Sequence, residues 1–358
     1  MTTRIPHIQK GNIVALGNTG FFSGIAAVAL VVSACGSSPA SQPETITDEQ
    51  SPATTVTLVH DIPSGHPRLP YFDDFAESVN TSSQGRLTVE INPNGEILAG
   101  RASLDAVRDG RADLALVNMT HVEAMEPAAG FMNLPFALDD TAMAAQQNRT
   151  AVYEVQSGLV RPHGVEFLGY MRGADQLLAF PADDVERVED IEGKRIRVAG
   201  GGIYERLMRD LGAVPVAIPI PEIKDRMQRG EVDGVFTSPG GWTTQVFESA
   251  PHAVQVPGLM YISYALIANK DWFDSLPDAD RDAVAAAGAE LTEQWVQMAE
   301  DDKAVVNQAV ADGGSYRVLP DDEVARWKAR VSGVSDDFYS SHSSLADELQ
   351  RRGLRVTG

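Results

Sequence analysis

The sequence has almost no cysteine and a shortage of positive charge. Cys35 is the only cysteine among 358 residues, so the chain cannot form an internal disulfide. Lysine and arginine number 29 against 50 aspartates and glutamates, which gives a formal net charge of -21 at pH 7. Nucleic acids and anionic membrane surfaces bind clusters of Lys and Arg, so we expect no nucleic-acid partner.

Sequence patterns of enzymes and metal sites are also missing. His60 and His66 have no third ligand nearby, so no zinc site is predicted. Neither a GxSxG elbow nor an HExxH helix occurs. Acidic pairs such as Asp73 and Asp74 lie in polar runs that solvent exposure explains better than acid-base catalysis. We therefore expect no catalytic residues, no metal and no cofactor, with an extracellular hydrolase as an open alternative.

Long apolar runs are absent except near the start of the chain. Arg4 and Lys10 precede an uncharged, mainly apolar stretch at residues 20–34. This stretch is shorter than the roughly 20 residues that a helix needs to cross a bilayer. The layout is that of a secretory signal peptide, which we predict at residues 1–34.

The apolar stretch ends in the letters VSACG at residues 32–36. They resemble the bacterial lipobox, in which the cysteine is lipidated and becomes the mature N-terminus. We therefore predict Cys35 as the lipidation site. The protein would be extracytoplasmic, in the periplasm or at the cell surface, and anchored to the membrane by this residue. The following residues are rich in Ser, Pro, Glu and Gln, so residues 35–53 are predicted to be the lipidated cysteine and a flexible tether.

Short β-rich runs alternate with amphipathic helical runs along most of the remaining chain. Such alternation predicts βαβ units, parallel or mixed sheets and an α/β fold. One set of alternating strands and helices lies before about Arg172 and a second set lies after it, which suggests two lobes. The predicted strands are 55–60, 86–91, 112–117, 165–170, 195–198, 214–218 and 234–237, and the predicted helices are 69–79, 102–109, 204–211, 223–229 and a long one at 283–309.

Eight ordered motifs carry a family resemblance that covers most of residues 55–290. They are GHP at 65–67 with FDDFAE at 72–77, SQGRLTV at 83–89, LDAVRDGRADLA at 104–115, NLPFAL at 133–138, IEGKRIRV at 191–198, LGAVP at 211–215, GEVDG at 230–234 and NKDWFDSLP at 269–277. In this order and spacing the chain resembles the solute-binding proteins of tripartite ATP-independent periplasmic (TRAP) transporters, of the dicarboxylate-binding-protein-like kind.

The resemblance implies a two-lobed periplasmic-binding-protein-like fold of class II type, with a hinge and a long back-spanning helix. We expect lobe 1 to comprise 54–172 plus 258–290, and lobe 2 to comprise 173–257 plus 291–358. The lobes would close over a small carboxylate and deliver it to integral membrane transporter subunits, with the protein as a monomer. A receptor of an ATP-driven importer and a sensor module are the alternatives within binding proteins.

Arg197 is the leading candidate for ligand binding. A buried carboxylate is best held by the planar fork of an arginine, which forms a bidentate pair. Arg197 ends the predicted strand at 195–198, and period-2 alternation places it on the same face as Arg195. The resemblance places the carboxylate-clamping arginine of the family at this position. The Gly-rich turn that follows would let a ligand approach the backbone.

Further candidates for the wall of the site lie at strand ends, in turns and at the predicted lobe boundary. Trp242 could stack on a ring-bearing ligand, and Arg172 could supply a second cation. The complete candidate set is Arg197, Arg172, Ser238, Trp242, Tyr204, Glu222, His66, Asn118 and Phe136.

Overall fold

The computed structural model of the protein describes residues 52–93, 95, 98 and 100–354, except for the side chain of Pro221. The predicted signal peptide, Cys35 and nearly all of the predicted tether therefore lie outside the described residues. Within the described part of the chain, no helix has the length and apolar character needed to cross a membrane. A search of the same residues finds no group of three or more His, Cys, Asp or Glu side chains suited to hold a metal ion.

Strands form two separate sheets. The strands are β1 Thr54–His60, β2 Leu87–Asn92, β3 Leu114–Asn118, β4 Val165–Asp175, β5 Leu177–Phe180, β6 Arg195–Val198, β7 Val214–Ala217, β8 Gly234–Thr237, β9 His252–Gln255, β10 Tyr261–Asn269 and β11 Ser315–Val318. One sheet has the order β2-β1-β3-β10-β4, and the other has the order β11-β9-β5-β8-β6-β7. We refer to the first sheet and its helices as the first lobe, and to the second sheet and its helices as the second lobe.

Helices cover both sheets. They are α1 Pro70–Ser82, α2 Arg101–Arg108, α3 Met119–Glu123, α4 Asp140–Met143, α5 Gln146–Val160, α6 Gly202–Asp210, α7 Ile223–Gln228, α8 Pro239–Gly241, α9 Lys270–Ser275, α10 Asp278–Glu293, α11 Trp295–Ala311, α12 Asp321–Ser341 and α13 Ser343–Arg351. Short 3₁₀ segments occur at Pro127–Asn133, Arg161–His163, Val188–Ile191 and Ile220–Glu222, and a π-helical turn at Trp242–Val246.

Each sheet contains three neighbouring strands that run parallel to one another. β1 runs parallel to β2 and β3, and β6 runs parallel to β7 and β8. In each sheet one strand opposes this direction: β10 is antiparallel to β3 and β4, and β5 is antiparallel to β8 and β9. The predicted α/β class with two sheets is confirmed, and its strands and helices alternate as the sequence pattern indicates.

The chain crosses between the lobes at a buried glutamine. β4 of the first lobe ends at Asp175 and β5 of the second begins at Leu177, so Gln176 is the only residue between them. Its backbone N–H donates to the Met260 carbonyl at 3.1 Å, and its own carbonyl accepts from the Gln255 side chain at 3.0 Å. Gln176 thereby ties this crossing to the return crossing between β9 and β10.

The helical region near the C-terminus differs from the single long helix predicted at 283–309. Two consecutive helices, α10 and α11, are separated at Gln294, whose backbone angles are φ -71° and ψ 3°. α10 packs on β4 and α1 of the first lobe, whereas α11 contacts β4 and also α8 and β11 of the second. The break lets the second segment follow the other lobe, and it is caused by packing that sequence periodicity does not reveal.

A buried ion cluster holds β4 against α11. The Arg68 side chain is fully buried and donates to the carbonyls of Arg172 and Gly173, both at 2.9 Å, and to Asp302 at 2.7 Å. Arg172 in turn pairs with Asp302 and with Asp140. Each cation in this cluster therefore has a carboxylate partner, as buried charges require.

β4 and α10 approach so closely that only glycine fits at their contact. A methyl group at Gly288 would lie 2.4 Å from the Leu168 carbonyl oxygen, and one at Gly169 would lie 2.3 Å from the Gly288 carbonyl oxygen. Real Cβ atoms do not approach backbone oxygens at such distances, so either substitution must push the helix away from the sheet.

We expect Gly288→Ala to lower the free energy of unfolding by about 1 to 3 kcal/mol, because overpacking moves α10 away from β4. Gly158→Ala is the matched control, since Gly158 is also helical but a methyl group there meets no atom within 4 Å. The control should gain about 0.5 to 1 kcal/mol from helix propensity. Urea denaturation of both variants measures the difference, and equal effects would contradict the close contact.

Candidate functional site

Polar residues collect where the carboxyl ends of parallel strands from both sheets meet. Asp61 directly follows β1 and Asn118 ends β3 in the first lobe. Ala199 follows β6 and Ser238 follows β8 in the second lobe. Ligands of open α/β sheets bind outside the carboxyl ends of the strands, so this edge is where a site is expected.

Two adjoining cavities open at this edge, and we call them together the cleft. The small cavity has a volume of about 30 Å³ and the large cavity about 420 Å³, and they share Asn118, Arg197, Ala199 and Ile220. The small cavity is also lined by Pro63, His66, Ile223, Thr237, Ser238, Gly241, Gln245, Ile262 and Tyr264, and the large one by Asp61, Gly100, Arg101, His121, Ala217, Ile218 and Pro219. The large cavity falls in the size range of small-molecule sites.

Arg197 is the buried cation of the cleft. Its side chain donates from Nε to the Ile218 carbonyl at 2.9 Å and from Nη1 to the Phe236 carbonyl at 3.4 Å. Burial lowers the pKa of Arg197 to about 10, so the guanidinium stays charged at neutral pH. No carboxylate among the described residues forms an ion pair with it, in contrast to the paired Arg68 and Arg172.

Arg195 lies two residues earlier on the same strand but has a different environment. Its guanidinium is partly exposed and forms a two-point pair with Asp233, at 2.6 and 3.0 Å. Alternation places the two arginines on one face, but they differ in burial and in whether they have a carboxylate partner among the described residues.

Three further candidates from the sequence line the small cavity beside Arg197. His66 accepts the Arg68 N–H at Nδ1, and burial lowers its pKa to about 3, so the ring is neutral with its proton on Nε2. The side-chain oxygen of Asn118 accepts the Thr120 N–H at 2.9 Å, which leaves the side-chain NH₂ as a donor for the cavity that Asn118 lines. The Ser238 hydroxyl oxygen accepts the Gly241 N–H at 2.9 Å and can donate its own proton. This end of the cleft therefore offers hydrogen-bond donors.

Two candidate aromatic residues of the second lobe lie in the core. Trp242 is fully buried, donates from Nε1 to the Ala250 carbonyl at 2.8 Å and packs on Phe247. The Tyr204 hydroxyl accepts from the Gln176 side chain at 2.8 Å beneath the cleft. Neither lines the two cavities, and their contact with a ligand stays a prediction.

The structure also places Arg172, Phe136 and Glu222 away from the cleft walls. Arg172 lines a different cavity of about 330 Å³, together with its partners Asp140 and Asp302. The Phe136 ring lies under the Lys328 ammonium, 5.7 Å from its centroid. Glu222 is half exposed and pairs with Arg226 at 2.8 Å. Their roles as ligand contacts likewise stay predictions.

Four titratable residues of the cleft were missed by sequence reasoning. They are Asp61, Arg101, His121 and Tyr264. Asp61 and His121 come directly after β1 and shortly after β3, so the strand-end rule that singled out His66 and Asn118 could have found them. Tyr264 lies within β10, a strand that alternation did not reveal.

Glu123 of the first lobe caps a helix of the second lobe beside the cleft. Its Oε1 accepts the Ile203 N–H at 3.2 Å at the start of α6, and the neighbouring Gly202 N–H also favours the charged form of this carboxyl group. Its Oε2 accepts the Asn133 amide at 3.0 Å. Burial raises the pKa of this carboxyl group, while the helix start and the amide favour its charged form. This side chain thus contributes a contact between the two lobes next to the turn that follows Arg197.

We expect Glu123→Ala to increase amide hydrogen exchange at Gly202 and Ile203 by about 5- to 150-fold, because both N–H groups lose their acceptor. Glu126→Ala is the matched control, since Glu126 accepts the Ala128 N–H at 3.1 Å within the first lobe. The control should speed exchange at Ala128 alone. Unchanged exchange at Gly202 and Ile203 in Glu123→Ala would contradict the contact between the lobes.

Comparison with known proteins agrees with this fold. The C4-dicarboxylate-binding periplasmic protein DctP of Rhodobacter capsulatus is 23% identical over 271 residues, which cover 74% of this chain and 80% of that protein. A crystal structure of a Bordetella pertussis extracytoplasmic solute receptor binding pyroglutamic acid superposes with a TM-score of 0.76 at 20% identity, covering 83% of this chain and 100% of that one.

A TRAP periplasmic solute-binding protein from Roseobacter denitrificans, with bound β-D-glucuronate, also has a TM-score of 0.76, at 18% identity and with 84% and 99% coverage. Residues 58–342 match the family described as bacterial extracellular solute-binding protein, family 7. The resemblance to TRAP solute-binding proteins is thereby confirmed, and such proteins are receptors rather than enzymes. This chain belongs to family 7 of the bacterial extracellular solute-binding proteins.

Proposed function

We propose that the protein captures a small organic acid in the cleft, with Arg197 clamping the carboxylate, and delivers it to the membrane subunits of a TRAP-type transporter. The observation that carries the proposal is Arg197 itself, a buried cation that lines both cavities without an ion-pair partner among the described residues. A buried charge is costly unless it is paired, so a ligand carboxylate is the missing partner.

The other residues of the cleft also favour a ligand group that only accepts hydrogen bonds at the end near Arg197. Asn118, Ser238 and neutral His66 each offer a hydrogen-bond donor near Arg197, and an ionised carboxylate only accepts hydrogen bonds. The named ligands of three relatives, a C4-dicarboxylate, pyroglutamic acid and β-D-glucuronate, agree with this class.

The two-lobed architecture supports capture by closure. A ligand that contacts both lobes favours the closed arrangement by its differential affinity for it. We propose that the predicted division holds, with lobe 1 at 54–172 plus 258–290 and lobe 2 at 173–257 plus 291–358, except that β4 extends the first lobe to Asp175, and that the protein acts as a monomer. The crossing at Gln176 supports a hinge at that point, because a single residue joins the two sheets there.

We also propose that lipidated Cys35 anchors the mature protein to the membrane. The support comes from the sequence alone: the cationic start, the short apolar stretch, the lipobox-like VSACG and the polar tether. An anchored receptor would sample a volume close to the membrane subunits, and residues 36–53 would set its reach.

We expect Arg197→Ala to weaken ligand binding by about 2 to 5 kcal/mol, since removal of the fork leaves the bound carboxylate unpaired. At about 1.4 kcal/mol per decade this is roughly a 30-fold to several-thousand-fold loss of affinity. Arg197→Lys should recover part of the loss, because the charge remains but the bidentate geometry does not. A thermal-shift screen of organic acids supplies the ligand, and titration calorimetry measures its affinity for each variant.

Arg195→Ala is the matched control for this experiment. Arg195 shares the strand and the charge but is partly exposed and paired with Asp233, so its loss should leave affinity within about threefold of wild type. If Arg197→Ala also stays within threefold, or if the amide analogue binds as well as the acid, the proposed clamp is wrong.

We expect Cys35→Ser to release the protein from the membrane, because stable anchoring depends on the acyl chains attached to this residue. The measurement is detergent-phase partitioning of cells that express wild type or variant. Wild type should enter the detergent phase and the variant the aqueous phase. Membrane association that survives the substitution would disprove the anchor.

A further inference from the structure

The large cavity contains a carboxylate as well as the Arg197 cation. Asp61 directly follows β1, and its Oδ2 accepts the Gly100 N–H at 3.1 Å. Among the described residues that line the large cavity, Asp61 is the only acidic one. Burial raises the pKa of Asp61, which means that this site disfavours the charged carboxylate relative to water.

The cleft therefore has two chemically different ends. Donors surround Arg197 in the small cavity, whereas an ionised Asp61 in the large cavity can only accept hydrogen bonds. A ligand that binds with its carboxylate at Arg197 presents its other end to the large cavity, because the small cavity of about 30 Å³ holds little more than one group.

We propose that Asp61 selects the substrate class: the ligand is a monocarboxylate that carries a hydroxyl or ammonium donor at its other end, and a second carboxylate there is rejected. This inference rests on the proposed function, since it takes the first carboxylate to lie at Arg197. A donor would restore the hydrogen bonds that burial takes from Asp61. A second carboxylate would instead place like charges together beside Asp61.

The two other titratable residues of the large cavity do not offset Asp61. Arg101 could attract a second carboxylate, but its side chain is 47% exposed and its Nε lies 3.7 Å from Asp105, so its charge is screened and shared. Burial lowers the pKa of His121, which favours its neutral form. Asp61 is therefore the least screened charge opposite Arg197.

Matched acids that differ only at the far end test the proposal. One set is succinate, γ-hydroxybutyrate and γ-aminobutyrate, and the other is glutarate, δ-hydroxyvalerate and δ-aminovalerate. Calorimetry at about pH 8, which favours ionised Asp61, should show that wild type binds the hydroxy or amino acid at least about tenfold tighter than the diacid of equal length. Asp61→Asn should reduce this preference to within about threefold, since the amide removes the charge at nearly constant shape.

Asp336→Asn is the control, because Asp336 is an exposed carboxylate of α12 that lines neither cavity of the cleft. It should keep the wild-type preference. If Asp61→Asn does not fold, the affinities of wild type alone test the proposal. A diacid that binds wild type as tightly as the hydroxy acid and the amino acid of equal length overturns the role of Asp61. An unchanged preference in a folded Asp61→Asn does the same.

Failure of the inference and failure of the proposed function give different results. If wild type binds none of the six acids while other acids from the thermal-shift screen bind through Arg197, the inference alone is overturned. If no carboxylate in the screen binds, or if binding ignores Arg197, the proposed function fails and the inference fails with it.

Discussion

The buried charge of Arg197, which has no ion-pair partner among the described residues, is the feature on which the proposed function depends. The fold satisfies two of its donors with backbone carbonyls, at 2.9 and 3.4 Å, but provides no carboxylate within the described residues. Elsewhere the same chain pairs its buried arginines with acids, as Arg68 and Arg172 show. The proposed function gives this difference a reason, because an unpaired buried cation destabilises the protein and a ligand carboxylate would supply the missing partner.

Topology explains why this charge lies beside the other polar groups of the cleft. Parallel strands point their carboxyl ends in one direction, and both lobes turn those ends toward the same space. Residues that are far apart in sequence, such as Asn118 and Ser238, therefore line one cavity without any local signal that links them. The crossing at Gln176 joins the two sheets through a single residue, and a buried apolar cluster that includes Val117 of β3 and Phe236 of β8 continues from one lobe to the other.

Much of the fold could be predicted from alternating patterns, but the environments of individual side chains could not. Predicted strands such as 195–198 and 234–237 match β6 and β8, whereas β5 and β10 are buried along nearly their whole length and show no alternation. Among the arginines, Arg195 and Arg172 owe their pairing to Asp233, Asp140 and Asp302, which lie 32 to 130 residues away. Sequence alone cannot assign such partners. The rule that ligands bind outside the carboxyl ends of parallel strands applies to Asp61 and His121 as well as to Asn118.

Ligand binding and the contact between the lobes share one short segment. Arg197 lies on β6, the turn that follows contains Gly200 and Gly201 with φ near 105° and 98°, and α6 begins directly after it. Glu123 of the opposite lobe accepts hydrogen bonds from the first residues of α6, and a methyl group at Gly201 would approach Thr120 of that lobe at 3.0 Å. The glycines thus allow both the backbone geometry and the close approach. In the proposed function, a ligand at Arg197 would act on the same strand and turn that carry the helix contacted by Glu123, which places residues 197–203 between occupancy of the cleft and closure of the lobes.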